Sequence, residues 1–449
     1  MYKPNQHIAF SKRLDLFIFL WYLCFFISLA CCFRAISSIS IILIIVTGLI
    51  KNKLDTGSWI NPRLKNAFLI SCCLFYLLQA TGLLFGPGLQ ENSKELVLKS
   101  GIIFIPFAIC CNYYLDEITR NSLMKYFIWI LAAALFYCLL AAVQNFYSHH
   151  RSDVFFYHKL VIPLKHHHAV QVSIIVFSAV VYLLEAVKRS AYVLNRKVDL
   201  LLLFYFTVCI ILLSSKLIIA FTIVTFLYYL VNALRKRKKG RPIVLFTLFA
   251  ATAMMAAVIL TTNKVSQRFN EIISGDIALV QQKNFDPNVY FNGLQFRVLQ
   301  LRFVKEILTE NNAWLTGVSA NAQKLLDKKY RDTNMFIGEP GSNEHGFIGY
   351  NTHNQFLESI LQSGIIGLIF FCLIILSMIW LTLKRKDPEL TFMATLLIAY
   401  CLNESVFENQ YGIILFTFYP MFFYAGRSTD PLQDKNNSYL NLIKNNHFY

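Results

Sequence analysis

The chain has 449 residues, of which 56% are hydrophobic and 15% charged, and its mean hydropathy is +0.50. A soluble domain is about 45–50% apolar and about 25% charged, so the composition excludes a soluble globular protein and predicts an all-α, polytopic integral membrane protein. A net charge of +17 would suit a nucleic-acid binder if the chain were soluble, but the loop pattern described below absorbs that charge and no nucleic-acid partner is expected.

Crossing a bilayer takes about 20 apolar residues with every backbone group bonded inside the segment. On that length the apolar runs predict spans near 14–33, 37–50, 66–86, 100–114, 124–145, 168–187, 198–214, 217–233, 243–261, 356–383, 389–403 and 410–425, about twelve transmembrane helices with one large external loop. The two near 37–50 and 100–114 are short enough to be tilted or partly re-entrant. The first run is long and lacks a small-residue cleavage site, so it is expected to stay as an anchor. The organisation is then a bundle of about nine helices over 1–261, a polar loop domain over 262–352, about three helices over 353–427 and a polar, asparagine-rich tail over 428–449 that reads as loose. Cys24, Cys72, Cys73, Cys110, Cys111, Cys209, Cys372 and Cys401 sit inside apolar runs and read as small hydrophobes, not as a disulfide framework.

Lysine and arginine accumulate in cytoplasmic loops. With the N-terminus and its Lys3, Lys12 and Arg13 inside, the loops carrying Lys51, Lys53, Arg63 and Lys65, then Arg120 and Lys125, then Lys188, Arg189, Arg196 and Lys197, then 235–241, and finally 384–386 all fall on that same side. Both termini are therefore expected in the cytoplasm, and the basic run 235–241 is expected to touch anionic membrane lipid. Four stretches fall outside: 149–168, 214–216, 262–352 and 403–410. No pattern of spans repeats between the two halves, and the spans are nearly free of charge, both of which speak against a transporter. An enzyme acting at the outer membrane surface is favoured.

The candidate site follows from that frame. Tyr350-Asn351-Thr352-His353-Asn354-Gln355-Phe356-Leu357 sets His353 at the threshold of a span directly after the long polar segment. Arg268, Arg297 and Arg302 in that segment suit an anionic head group such as a phosphate. Residues 296–308 have apolar side chains at helical spacing, whereas 338–341 and 346–349 are turn-rich. The competing readings are a helix cap or interfacial hydrogen bond for His353, and a solvated basic face or a lipid-phosphate anchor for the arginines. His149, His150, His158 and the run His166-His167-His168 invite a metal, but three consecutive histidines cannot face one point and no acidic or cysteine partner stands at zinc spacing. They are expected to line the external interface.

These residues resemble the O-antigen ligase and polysaccharide polymerase family. The likeness rests on His353-Asn354-Gln355-Phe356-Leu357 followed by Leu361, Gly364, Gly367 and Leu368. Three further pieces agree in order: Ser214-Ser215-Lys216, where the family usually has a serine–arginine pair; Arg297, heading a helix that runs to Trp314-Leu315-Thr316-Gly317-Val318; and Asn403-Glu404-Ser405 with Gly412, similar to a late glutamate–serine motif. The resemblance covers about residues 198–425 and extends over the first five spans only as a general pattern of helices.

The resemblance implies an inverting glycosyltransferase, free of metal and cofactor, on the periplasmic side of a bacterial cytoplasmic membrane. Its donor would be a glycan on undecaprenyl diphosphate. Its acceptor would be a hydroxyl of lipid A–core or, in a polymerase of the same class, of another glycan; a polysaccharide transporter is the remaining alternative. His353 would orient or deprotonate that hydroxyl, Arg297, Arg268, Lys216 and Arg302 would hold the diphosphate, and Asn354 would support the local turn. Lysine at 216 keeps the charge of the family's arginine but lacks its planar fork. Glu404 and Glu408 would orient His353 or bind sugar hydroxyls, against the simpler reading of solvated carboxylates at a helix end. No oligomeric state is expected from the sequence.

Overall fold

A computed structural model of the chain describes residues 4–235, 252, 277–335 and 347–425, apart from 60, 61, 86–88, 113, 114, 165–167, 287, 288 and 290. The expected span at 243–261 and the tail at 428–449 lie outside the described residues, and so does most of the basic run 235–241. Every regular element among the described residues is helical.

Six helices make the first half: α1 (Pro4–Cys31), α2 (Arg34–Thr56), α3 (Ala67–Phe85), α4 (Leu89–Lys99), α5 (Gly101–Cys110) and α6 (Glu117–His149). A short α7 (Tyr157–Val161) follows, then α8 (Ala169–Arg189), α9 (Arg196–Leu213) and α10 (Lys216–Arg235). The polar segment contributes α11 (Gly293–Glu310) and α12 (Ala322–Asp332), and the chain closes with α13 (Gln355–Arg385), α14 (Pro388–Cys401) and α15 (Gln410–Ala425). Among the described residues, seven helices are long and apolar enough to cross a membrane: α1, α2, α3, α6, α8, α10 and α13. Exposed rows such as Trp129, Phe136 and Leu140 on α6, and Leu373, Leu376 and Ile379 on α13, are apolar surface that water would not tolerate and lipid does.

The expected short run at 37–50 extends to the 23 residues of α2. The apolar stretch stops at Lys51, yet the helix continues because partners await its polar residues. Lys51 Nζ lies 2.7 Å from an oxygen of Asp15, and Asn52 donates to the carbonyl of Cys111 at 2.5 Å. The other short run is a true short helix, α5, of 10 residues with Pro106 inside it.

Two cores result. The large one runs through the bundle, with α8 at its centre: 94% of the apolar window of that helix is buried. The second belongs to the polar segment, where Phe285, Phe291, Leu299, Phe303, Leu326 and Tyr330 pack as a head at one end of the bundle. Asn292 starts α11 with a capping box, accepting from Gln295 N at 2.9 Å while the Gln295 side chain accepts from Asn292 N at 2.9 Å.

Head and bundle meet at a break in α13. Ser363 (φ −131°) and Gly364 (φ +65°) leave the helical conformation, and the loop Trp314–Val318 fills the gap. Ile365 N donates to the Trp314 carbonyl at 2.8 Å, Ile366 N to that of Leu315 at 3.4 Å, and Val318 N to that of Leu361 at 2.8 Å. These bonds replace those the break removes, which is the condition for irregular backbone inside an apolar bundle. Gly364 has no room for a side chain: a Cβ there would stand 2.2 Å from the carbonyl carbon of Leu315. Gly317 (φ +70°) faces it, with a Cβ position 2.4 Å from the amide of Ser363.

Candidate functional site

Between head and bundle lies a cavity of about 1150 Å³. One wall comes from the start of α11 and the stretch 350–353, the opposite wall from residues 152–159, and the floor from the ends of α8, α14 and α15. The helices converge there because α8 and α15 are almost wholly buried and deliver Gln171 and Asn409 to a shared hydrogen bond of 2.8 Å.

His353 sits in the left-handed region, φ +47°. The conformation is held by its neighbours: His353 N donates to the Asn351 side chain at 3.0 Å, and the next residue, Asn354, caps α13 by accepting from Phe356 N at 2.9 Å and Leu357 N at 3.2 Å. The ring packs against Phe296 and Tyr350, each 5.7 Å away between centroids. Its Nδ1 lies 3.1 Å from Glu404 Oε2 while 26% of the side chain stays open to the cavity. An ionised Glu404 accepts from Nδ1–H, and that tautomer leaves Nε2 with a free lone pair. Ser405, beside Glu404, accepts from Asn354 N at 3.3 Å and faces Thr352 Oγ1 at 3.1 Å. Tyr157 (φ +53°) and Ser214 (φ +51°) line the same cavity. Ser214 takes that conformation as the residue that closes α9, a common helix stop.

Arg297 stands on the wall beside this pair. Two of its N–H groups donate to backbone carbonyls, of Gly293 at 2.9 Å and Asn403 at 3.1 Å, while its buried Nε has no hydrogen-bond partner among the described residues. Burial lowers its pKa from the ordinary value, with nearby Glu404 and Tyr157 acting in the other direction. A guanidinium stays charged under such a pull, so the cavity wall carries a fixed cation. On the opposite rim, hydrogen bonds from Lys159 and Arg151 bring Asp153 down to about 2.

Of the residues singled out in the sequence, the structure brings His353, Asn354, Glu404 and Arg297 together. Arg302 is not brought to the cavity. Its guanidinium donates to the carbonyls of Val280 at 2.7 Å and Gln282 at 2.6 Å and to Glu306 at 2.7 Å, fastening a turn of the head to α11. Lys216 opens α10 two residues beyond Ser214, and it is Ser214 that lines the cavity. Arg268 lies outside the described residues, as do His166 and His167. His158 and His168 line the cavity with ring centroids 5.5 Å apart. Glu408 also lines it, held from below by the buried Lys99 at 3.3 Å and by the Gln362 amide at 2.9 Å.

Sequence reasoning did not find Gln171, Asn409, Tyr157, Phe296 or Tyr400 at the site, nor the buried Thr352–Glu358 bond of 2.8 Å beneath His353. Compared with known proteins, the chain matches no family model and no curated protein.

Proposed function

We propose that the chain is a membrane glycosyltransferase of the O-antigen ligase-like class, moving a glycan from an undecaprenyl diphosphate carrier to an acceptor hydroxyl on lipid A–core at the periplasmic face of a bacterial cytoplasmic membrane. One observation carries the reading: a single cavity is lined both by a histidine paired with a carboxylate and by an arginine fastened through backbone carbonyls. Transfer needs both. The acceptor oxygen attacks the anomeric carbon as the bond from that carbon to the phosphate oxygen breaks; the electron pair leaves with the diphosphate and the hydroxyl proton passes to His353 Nε2. Glu404 steadies the imidazolium that forms, as a carboxylate does behind a catalytic histidine. Arg297 meets the charge growing on the leaving diphosphate without exchanging a proton.

The test is transfer by the full chain in lipid nanodiscs with a purified undecaprenyl diphosphate-linked glycan and a lipid A–core acceptor. Arg297→Ala should cut kcat/KM by at least about a hundredfold, the usual cost of removing one donor to a developing negative charge, and Arg297→Lys should recover little of it. Full activity in Arg297→Ala would remove the diphosphate role. Products lengthened by whole repeat units on the carrier, with no lipid A–core product, would make the chain a polymerase of the same class.

A further inference from the structure

The cavity floor is built with a different chemistry from the Arg297 wall. Gln171 is 2% exposed and lines the cavity beside Tyr400, with which its side chain also hydrogen-bonds; its Nε2 donates to Asn409 Oδ1 at 2.8 Å, and its buried Oε1 has no hydrogen-bond partner among the described residues. Asn409 Oδ1 also accepts from Gly412 N at 2.6 Å, so the bond that fixes the Gln171 amide is itself fixed. Beside it, Glu408 keeps 20% of its side chain open, while Gln362 Nε2 at 2.9 Å and Lys99 Nζ at 3.3 Å hold its Oε1 from behind.

Lys99 does not show its charge to the cavity. Its side chain is 2% exposed and its ammonium is taken up by Glu95 at 2.6 Å, Gln362 Oε1 at 2.6 Å and Gln79 Oε1 at 3.4 Å as well as by Glu408. What Gln171 and Glu408 leave uncommitted is therefore acceptors: an amide carbonyl and a carboxylate oxygen. Acceptors require a ligand that donates, and a phosphate or carboxylate ligand is acceptor-only and repelled by Glu408. Hydroxyl groups satisfy both. The facing wall supplies the rest of a sugar's surface, since the aromatic residues Phe156, Tyr157 and His158 line the same cavity, and aromatic rings offer an apolar body to the C–H side of a pyranose.

We infer that Gln171 and Glu408 form a subsite for the hydroxyl groups of an uncharged pyranose, so that a lipid-linked glycan lies with its phosphates toward Arg297 and a neutral sugar on the floor. The inference rests on the transferase reading for its place in a reaction, and the donor and acceptor sugars share the chemistry it needs.

The experiment uses the full chain in nanodiscs and saturation-transfer NMR with methyl β-D-glucopyranoside and methyl β-D-galactopyranoside as neutral probes and methyl β-D-glucuronide as the anionic one. At least one neutral probe should bind, and the glucuronide should bind about tenfold more weakly or not at all. Gln171→Met keeps the side-chain length and removes the carbonyl; it should weaken the neutral probe about tenfold, the scale of one lost hydrogen bond. Arg302→Ala, away from the cavity, should leave probe binding as it is. Glu408→Gln still accepts a hydroxyl but lifts the repulsion, so the glucuronide should gain about tenfold relative to the neutral probe. Neutral-probe binding unchanged in Gln171→Met, or a glucuronide preferred by the wild-type chain, would overturn the subsite. In the transfer assay a raised KM for the donor alone assigns the subsite to the donor sugar, and for the acceptor alone to the acceptor sugar. Transfer with both KM values unchanged in Gln171→Met removes the subsite and keeps the transferase; Gln171-dependent sugar binding in a chain that transfers nothing keeps the subsite and removes the transferase.

Discussion

Arg120 and Arg297 stand at opposite ends of the bundle, and their surroundings differ in one respect. Arg120 is wholly buried between two carboxylates, Asp387 at 3.9 Å and Glu389 at 3.6 Å, and donates to the Phe423 carbonyl at 3.1 Å. Nearby Glu185 gathers Lys188 at 2.9 Å, Arg189 at 2.6 Å and the Tyr229 hydroxyl at 2.8 Å. Arg297, by contrast, is fastened by neutral carbonyls, and its nearest carboxylate partner, Glu404, is occupied by His353. A cation matched by its own chain belongs to the fold. One held in place by dipoles makes no ion pair of its own among the described residues.

The largest effect separates the two arginines by stability. Removing Arg120 strands two buried carboxylates, so Arg120→Ala should cost about 3–5 kcal/mol, read as a collapse of the melting temperature of the purified chain followed by tryptophan fluorescence. Arg297→Ala should melt within about 1 kcal/mol of the wild type, in the range of a substitution that strands no buried charge. Equal destabilisation by both would erase the distinction.

His353 sharpens it at the cavity end. His353→Ala should lower turnover by about 10²–10⁴-fold, the contribution of a general acid–base group, with folding intact. His353→Gln still accepts a hydrogen bond but takes up no proton at neutral pH; substantial turnover in that variant would make the residue a positioning group. Gly364→Ala tests the joint between head and bundle. A side chain at φ +65° that would stand 2.2 Å from Leu315 should cost about 1–3 kcal/mol and speed hydrogen exchange of the Val318, Ile365 and Ile366 amides; unchanged exchange would show that the wedge does not hold the break.

The smallest effect belongs to an ion network that is matched and partly solvated. Lys329 on α12 reaches Glu306 at 3.0 Å and Glu310 at 2.6 Å on α11, and Lys329→Met should cost less than about 1 kcal/mol. Its pH window is set from both sides. Burial pushes the Glu306 carboxyl up, but hydrogen bonds from Arg302 and Lys329 win and hold it below the ordinary value. Burial works against the Lys329 ammonium, yet its two glutamates raise its pKa. Stability from Glu306 is present above the ordinary carboxylate pKa and lost as pH falls through its depressed value; that from Lys329 is present below the ordinary lysine pKa and lost as pH rises through its raised one. Hydrogen-exchange protection of the α11–α12 pair should therefore be flat around neutrality and fall at the acid end in the wild type, while Glu306→Gln, with no carboxyl at that position to protonate, should lower the plateau and flatten the acid-end fall.

Much of this was legible in the residues. Apolar run lengths located the long helices, the threshold position of His353 marked the cavity, and the stretch 403–405 contained the carboxylate that orients it. Arg302 misled because charge says nothing about direction: five residues beyond Arg297 on one helix, it points about 140° away. Gln171 and Asn409 were silent because they meet across 238 positions of chain, and a glutamine in an apolar run carries no sign of its partner. Gly364 stood out in the sequence, but its counterpart Gly317 acquires meaning only when the two backbones touch.

The break in α13 has a geometric consequence. An unbroken helix is a rigid screw, in which each residue adds about 100° of rotation and about 1.5 Å of advance, so the azimuth of its first turn is dictated by the packing of its last. Here Leu361 belongs to the core of the head while Phe371, Ile374 and Met378 belong to that of the bundle, and the discontinuity at Ser363 and Gly364 lets the two segments keep separate phases. Residues 365–385 answer to lipid and neighbouring helices; 355–362 answer to Glu404, Ser405 and the head. One residue added within 357–362 would swing the Asn354 cap by about 100° and carry His353 away from Glu404, whereas one added after the break would leave that alignment untouched.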